Sequence, residues 1–219
     1  MDTLSRTQFL SILGGGVIGT GLGTIYKNTR APSPDPDHAL LRPPGASANE
    51  NEFLAKCTRC GQCVEACPYD TLHLADLSRG TSAGTPYFIA AQIPCSLCEG
   101  YDEPLCIKAC PTDALAHVPT LEEITIGTAV INSELCWAYN GIMCRHCWHA
   151  CPWPDIALQY DQMLQPVVNA DACVGCGLCE QACPTEIKSI TITPASIYKP
   201  TPLNNNNKVN STTKGGDEG

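Results

Sequence analysis

Residues 57–68 read C-T-R-C-G-Q-C-V-E-A-C-P, four cysteines in the pattern C-x2-C-x2-C-x3-C with a proline behind them. Three thiols at i, i+3 and i+6 on one tight loop can hold three corners of a cubane iron–sulfur cluster. The backbone N–H groups of such a loop turn toward the sulfides and offset their negative charge. From the third cysteine to the fourth is one helical turn, and the proline stops that turn. The fourth cysteine therefore points away from its own loop and toward the cluster of a partner run. Residues 173–184, C-V-G-C-G-L-C-E-Q-A-C-P, repeat the pattern without exception. Gly61, Gly175 and Gly177 stand where such a loop needs positive φ or a close backbone approach to the cluster.

Two further runs carry an insertion. In residues 95–111, Cys95 and Cys98 are followed by seven other residues, then Cys106, Cys110 and Pro111. In residues 136–152, CWAYNGIMCRHCWHACP, seven residues separate Cys136 from Cys144, and Cys147, Cys151 and Pro152 follow. Every one of the 16 cysteines falls in a run: Cys57, Cys60, Cys63, Cys67; Cys95, Cys98, Cys106, Cys110; Cys136, Cys144, Cys147, Cys151; Cys173, Cys176, Cys179, Cys183. Disulfides suit cysteine-rich exported chains, but four C-x3-C-P endings argue against them. Structural zinc needs separated C-x2-C pairs and stays open for runs two and three only. The expectation is four [4Fe–4S] clusters.

Because fourth cysteines are exchanged, runs work in pairs. A sequential scheme joins one to two and three to four; a nested scheme joins one to four and two to three. The two regular runs are outermost and the two elaborated ones adjacent, which favours nesting. Nesting predicts four groups: Cys57, Cys60, Cys63, Cys183; Cys173, Cys176, Cys179, Cys67; Cys95, Cys98, Cys106, Cys151; and Cys136, Cys144, Cys147, Cys110. Short β-prone stretches at 71–74, 114–118, 125–131, 165–169 and 189–193 sit where ferredoxin modules use small antiparallel strands. The predicted fold is α+β, loop-rich, built of two bacterial ferredoxin-like modules in nested arrangement and organised by metal.

Composition agrees. Aromatic residues make up 6% of the 219, with 3 Phe, too little for a large conventional core. Formal charge is −9. Four oxidised clusters with their thiolates would add roughly −8, so nucleic acid is excluded as a partner. No acid/base pair or nucleotide loop is visible, and the G-x-G-x-x-G-like residues 14–23 lie in the N-terminal segment, so no catalytic residue is assigned.

Residues 1–30 hold an apolar, glycine-rich run from 9 to 25, flanked by Arg6, Lys27 and Arg30. S-R-T-Q-F-L resembles a twin-arginine export signal with Thr7 in place of the second arginine, and no A-x-A cleavage site stands directly after Ile25. The segment reads as a leader or membrane anchor. Residues 31–51 read as a Pro-rich linker, 52–193 as the polyferredoxin domain and 194–219 as a disordered tail.

The phrases G-T-P-Y-F (84–88), A-C-P-T-D-A-L (109–115), W-A-Y-N-G-I-M-C-R-H-C-W-H-A-C-P (137–152) and P-V-V-N-A-D-A-C-V-G-C-G (166–177) resemble the ferredoxin-type NapG/MauM family. The resemblance covers roughly residues 50–193. It implies a periplasmic electron-transfer subunit that is not itself an enzyme. Its donor would be a membrane-bound quinol-oxidising ferredoxin-type subunit, and its acceptor a periplasmic reductase, such as nitrate reductase, or that enzyme's cytochrome donor. The methylamine branch implies the alternative, a redox maturation factor for another enzyme. His146 and His149 flank Cys147 among Trp137, Trp148 and Trp153. They read as packing around and shielding a cluster, with tuning of its potential as the sharper alternative. His73 and His117 read as ordinary packing or surface residues.

Overall fold

The computed structural model describes residues 40–197; the leader, residues 31–39 of the linker and the tail from 198 onward lie outside the described residues. The four helical turns expected between third and fourth cysteines all form. With the helix that precedes them they are α1 (Glu50–Lys56), α2 (Gln62–Glu65), α3 (Leu105–Lys108), α4 (His146–Ala150) and α5 (Leu178–Ala182). Six short strands accompany them: β1 (His73–Leu74), β2 (Pro86–Tyr87), β3 (Gly127–Ile131), β4 (Leu158–Tyr160), β5 (Pro166–Val168) and β6 (Ile190–Pro194). Four of the five β-prone stretches contain a strand, and the fifth, 114–118, contributes a single bridge from Leu115 to Ala46. Among the described residues no helix is long and apolar enough to cross a membrane.

The modules are sequential, which corrects the nested expectation. Helix α2 of run one packs on α3 of run two, and α4 of run three on α5 of run four. Each module is also closed by its own ends. In the first, Leu41 bridges Phe88 and Ala46 bridges Leu115. In the second, β3 pairs antiparallel with β6 from Gly127↔Pro194 to Ile131↔Ile190. Between paired runs a hairpin returns the chain, β1–β2 in the first module and β4–β5 in the second. The seven-residue insertions fall in turns outside the paired helices, so their equal length carries no information about partners.

The linker reading is corrected for residues 40–51. Leu40, Leu41 and Arg42 are buried, and Pro43 fully so. Asn49 caps α1, its side chain accepting from the Asn51 N–H, with Glu50 and Glu52 in the first turn favouring the positive end of the helix. Arg42 ties this segment down. Its guanidinium donates to Thr85 Oγ and the Pro86 carbonyl, both at 2.8 Å, and pairs with the Glu50 carboxylate. It also lies 4.8 Å from the centroid of the Phe53 ring, a desolvated cation–π contact. The module thus begins near residue 40. At the other end β6 runs to Pro194, one residue into the predicted tail.

The apolar core is thin and shared with the thiols: Phe53, Leu72, Phe88, Leu115, Ile124, Ile190 and Ile192 pack in one cluster with Cys63, Cys106, Cys176, Cys179 and Cys183. Phe53 is 0% exposed. With few large side chains to take up the space, Phe53→Ala should cost about 3–5 kcal/mol. Anaerobic denaturant unfolding of the loaded chain measures this; a loss under about 1 kcal/mol would mean the site collapses around the smaller side chain.

Candidate metal centres

The structure gathers the cysteines into four quartets, each made of three from one run and the fourth of its partner run. Quartet A is Cys57, Cys60 and Cys63 with Cys110; these four thiols line one small cavity with Phe53 and Pro86. Quartet C is Cys173, Cys176 and Cys179 with Cys151, and quartet D is Cys136, Cys144 and Cys147 with Cys183; each lines a small cavity of its own. Quartet B is Cys95, Cys98 and Cys106 with Cys67, which lies close enough for its charge to act on Cys95 and Cys98. The exchange of fourth cysteines read from the sequence is present, but Cys67 and Cys110 trade within the first module, and Cys151 and Cys183 within the second. The groupings drawn from nesting are therefore replaced.

The local cause lies in the loop and the turn. Gly61 and Gly177 adopt φ of 75° and 88° just ahead of α2 and α5, which lets the loop curl so that its three thiols converge. The helical turn then carries the fourth thiol across. All sixteen cysteines are free thiols, so the disulfide reading does not apply. Among the described residues no group of three or more His, Cys, Asp or Glu is set to hold a single metal ion. Instead, all-thiol donor sets of four ring three small cavities, and four thiolates are the donor set of a cubane cluster.

Backbone amides reach the sulfurs, the Leu105 N–H to Cys98 Sγ at 3.3 Å and the Ala129 N–H to Cys173 Sγ at 3.5 Å. Burial dominates the thiols' acidity. It pushes Cys63 and Cys176 up to about 11 and Cys95 and Cys147 to about 12, with neighbouring cysteine charges adding to the rise. Cys106 and Cys179 are driven up by the same burial. These thiols hold their protons at neutral pH unless iron replaces them, so loading releases protons and acid opposes it. Loss of colour under a fixed chelator concentration should therefore quicken as pH falls through the neutral range; a rate flat with pH would contradict this linkage.

Two thiols go the other way. Burial raises Cys183, but hydrogen bonds with Ser189 and Thr185, at 3.2 and 3.0 Å, outweigh it and hold the group at about 7. Cys110 is likewise lowered on balance, against its burial, by the amides of Thr112 and Leu115 and the Thr112 hydroxyl. Reading the sequence for cysteines alone missed Thr112, Thr185 and Ser189, although C-P-T recurs at 110–112 and 183–185. Thr185→Val keeps the shape and removes the donor, so the midpoint of the group in quartet D should fall, because a hydrogen bond to sulfur favours the reduced state. An unchanged midpoint in a potentiometric titration would assign Thr185 to packing.

Both histidines are exposed, but His146 lines the cavity of quartet D beside Trp137, as the shielding reading expects, whereas His149 is not among that cavity's walls; Trp148 and Trp153 pack against the core. His146 Nδ1 stands 3.6 Å from Cys144 Sγ. His73 sits in β1 with its ring 6.1 Å from that of Tyr87, and His117 is on the surface.

Thiol quartets on ferredoxin loops define an iron–sulfur electron-transfer protein of the ferredoxin type. Family models agree: a 4Fe-4S dicluster domain matches residues 56–114, taking runs one and two as a unit, and a 4Fe-4S binding domain matches 166–189. The chain is 43% identical over 194 residues to the ferredoxin-type protein NapG of Escherichia coli (strain K12), covering 83% of this chain and 80% of that one. It is also 43% identical over 166 residues to the methylamine utilization ferredoxin-type protein MauM of Methylorubrum extorquens, covering 72% and 74%. Against the ferredoxin-type protein NapF of Escherichia coli (strain K12), identity is 33% over 149 residues, 66% and 80% of the two chains. The chain belongs to the NapG/MauM family of ferredoxin-type proteins.

Proposed function

We propose that this chain holds four [4Fe–4S] clusters, one per quartet, and relays single electrons from a membrane-bound quinol-oxidising partner toward a periplasmic reductase such as nitrate reductase, without catalysing a reaction itself. The observation that carries the reading is the set of four all-thiol quartets. A bound cluster supplies a one-electron change of charge with little movement of its ligands. The chain's part is to fix those ligands, to keep water from the buried thiols Cys63, Cys98, Cys106, Cys176 and Cys179, and to offset charge with amides such as those of Leu105 and Ala129. A periplasmic location, with attachment through the N-terminal segment or through the partner, belongs to the same proposal.

Relatives named for nitrate and for methylamine systems are equally similar at 43%, which favours a second reading, a redox maturation factor. One experiment separates them. The loaded chain is mixed anaerobically with quinol-reduced membranes, and its reduction and subsequent reoxidation by the reductase are followed by absorbance. The relay reading expects both steps on the time scale of turnover. A chain that stays oxidised, with the reductase still fully active once made but defective when newly made without this protein, would replace the relay with maturation.

A further inference from the structure

We infer that Cys95 and Cys176 form the electrical contact between the two modules, so that the quartets stand in the spatial order A, B, C, D, with run four lying between run two and run three. This rests on the relay reading above. Within each module neighbouring quartets are joined by the chain itself. Helix α2 links Cys63 of quartet A to Cys67 of quartet B, and α5 links Cys179 of quartet C to Cys183 of quartet D.

Between modules the join is different. The Cys95 N–H donates to the Cys176 carbonyl at 2.9 Å, connecting a ligand residue of quartet B directly to one of quartet C. The next residue shows how tight the approach is. Gly177 has φ of +88°, and a Cβ built there would lie 2.5 Å from the Ala90 Cβ, so the first module occupies the space a side chain would need. One turn on, the Gln181 side-chain amide donates to the Gln92 carbonyl at 3.0 Å, a second bond across the same strip. Ala90 is 1% exposed and Cys176 8%, so no solvent layer separates the two sides. The cavities of quartets A, C and D are each lined only by their own module, residues 53–115, 129–192 and 131–190, so the modules meet through the Cys95–Cys176 strip and not through a shared cavity.

Electron tunnelling weakens steeply with distance and is favoured along bonded routes over gaps. A single hydrogen bond between two ligand residues is such a route. In the step assigned here, one electron leaves the reduced group held by quartet B and enters the oxidised group held by quartet C. No bond is made or broken and no proton moves. The electron is supplied upstream by a quinol-class donor or, in the test, by dithionite.

The test uses the full, loaded chain. Ala90→Leu puts a larger side chain into the strip and replaces no ligand. Fully reduced with dithionite, the parent should show an electron paramagnetic resonance spectrum broadened by interaction across all four groups. The variant, with the iron content of the parent, should show two independent pairs, and electron equilibration between modules after a light pulse should slow by roughly an order of magnitude. Parent-like iron with an unchanged spectrum and rate would overturn the assignment. A second measurement holds even where Ala90→Leu fails to load: the Cys95 amide of the loaded parent should exchange with deuterium orders of magnitude more slowly than an open amide. Exchange at the open rate overturns the contact. A parent that carries no reducible clusters would remove the relay reading itself, whereas four reducible groups without interaction between B and C would remove only this order.

Discussion

Cys110→Ala is expected to empty the site of Cys57, Cys60 and Cys63 and to leave both sites of the second module filled. Cys110 lines the cavity of quartet A with Cys57, Cys60 and Cys63, 47 residues beyond Cys63 in the chain, and no fifth thiol lines that cavity. Three remaining thiolates leave one iron corner without a protein ligand in a half-buried site. The decisive form of the experiment is a pair of double variants, because two substitutions in one site do not add and two in separate sites do. Cys57→Ala with Cys110→Ala should lose no more iron per chain than Cys110→Ala alone. Cys136→Ala with Cys110→Ala should lose twice as much. The reverse pattern would restore nested pairing.

The second large effect is on folding. Removing iron anaerobically with a chelator should unfold residues 40–197 cooperatively, seen as loss of near-ultraviolet circular dichroism and of protection against protease. The magnitudes decide it. Structural metal sites in small domains supply about 10–16 kcal/mol of apparent binding energy, while whole domains are stable by only about 5–15 kcal/mol. Here five thiols are members of the core itself, interleaved with Phe53, Leu115 and Ile190, and seven more pack against it, standing in for missing aromatic bulk. An iron-free chain that keeps slow amide exchange in β3 and β6 would show that the apolar contacts suffice.

Much of this was legible in the sequence because it is local. C-x2-C-x2-C-x3-C-P specifies a loop, a turn and a stop within a dozen residues, and all four turns formed where the spacing put them. The exchange of fourth cysteines was legible for the same reason, since one helical turn carries Cys67 about one pitch along the axis from Cys63, beyond the reach of its own loop. Which run receives that cysteine was not. Pairing is decided by contacts between distant residues, Leu41 with Phe88, Ala46 with Leu115 and β3 with β6, and no ligand spacing records them. The segment around residue 40 misled for a different reason. Its prolines and small residues have the composition of a linker, and only the burial of Arg42 against Phe53, Glu50 and Thr85 shows that it is part of the module. Strands β2 and β4 are two and three residues long, too short to stand out as periodic.

The Arg42 clamp also determines how the molecule bears mechanical load. A pull applied at residue 40 enters through the Leu41–Phe88 bridge and the buried guanidinium, and passes into Phe53 and Pro86, which are walls of the quartet A cavity. A force drawing residue 40 outward is expected to reach the quartet A cavity through Arg42 before it reaches any other quartet, and iron loss from that site in a chain held at residue 40 would measure it.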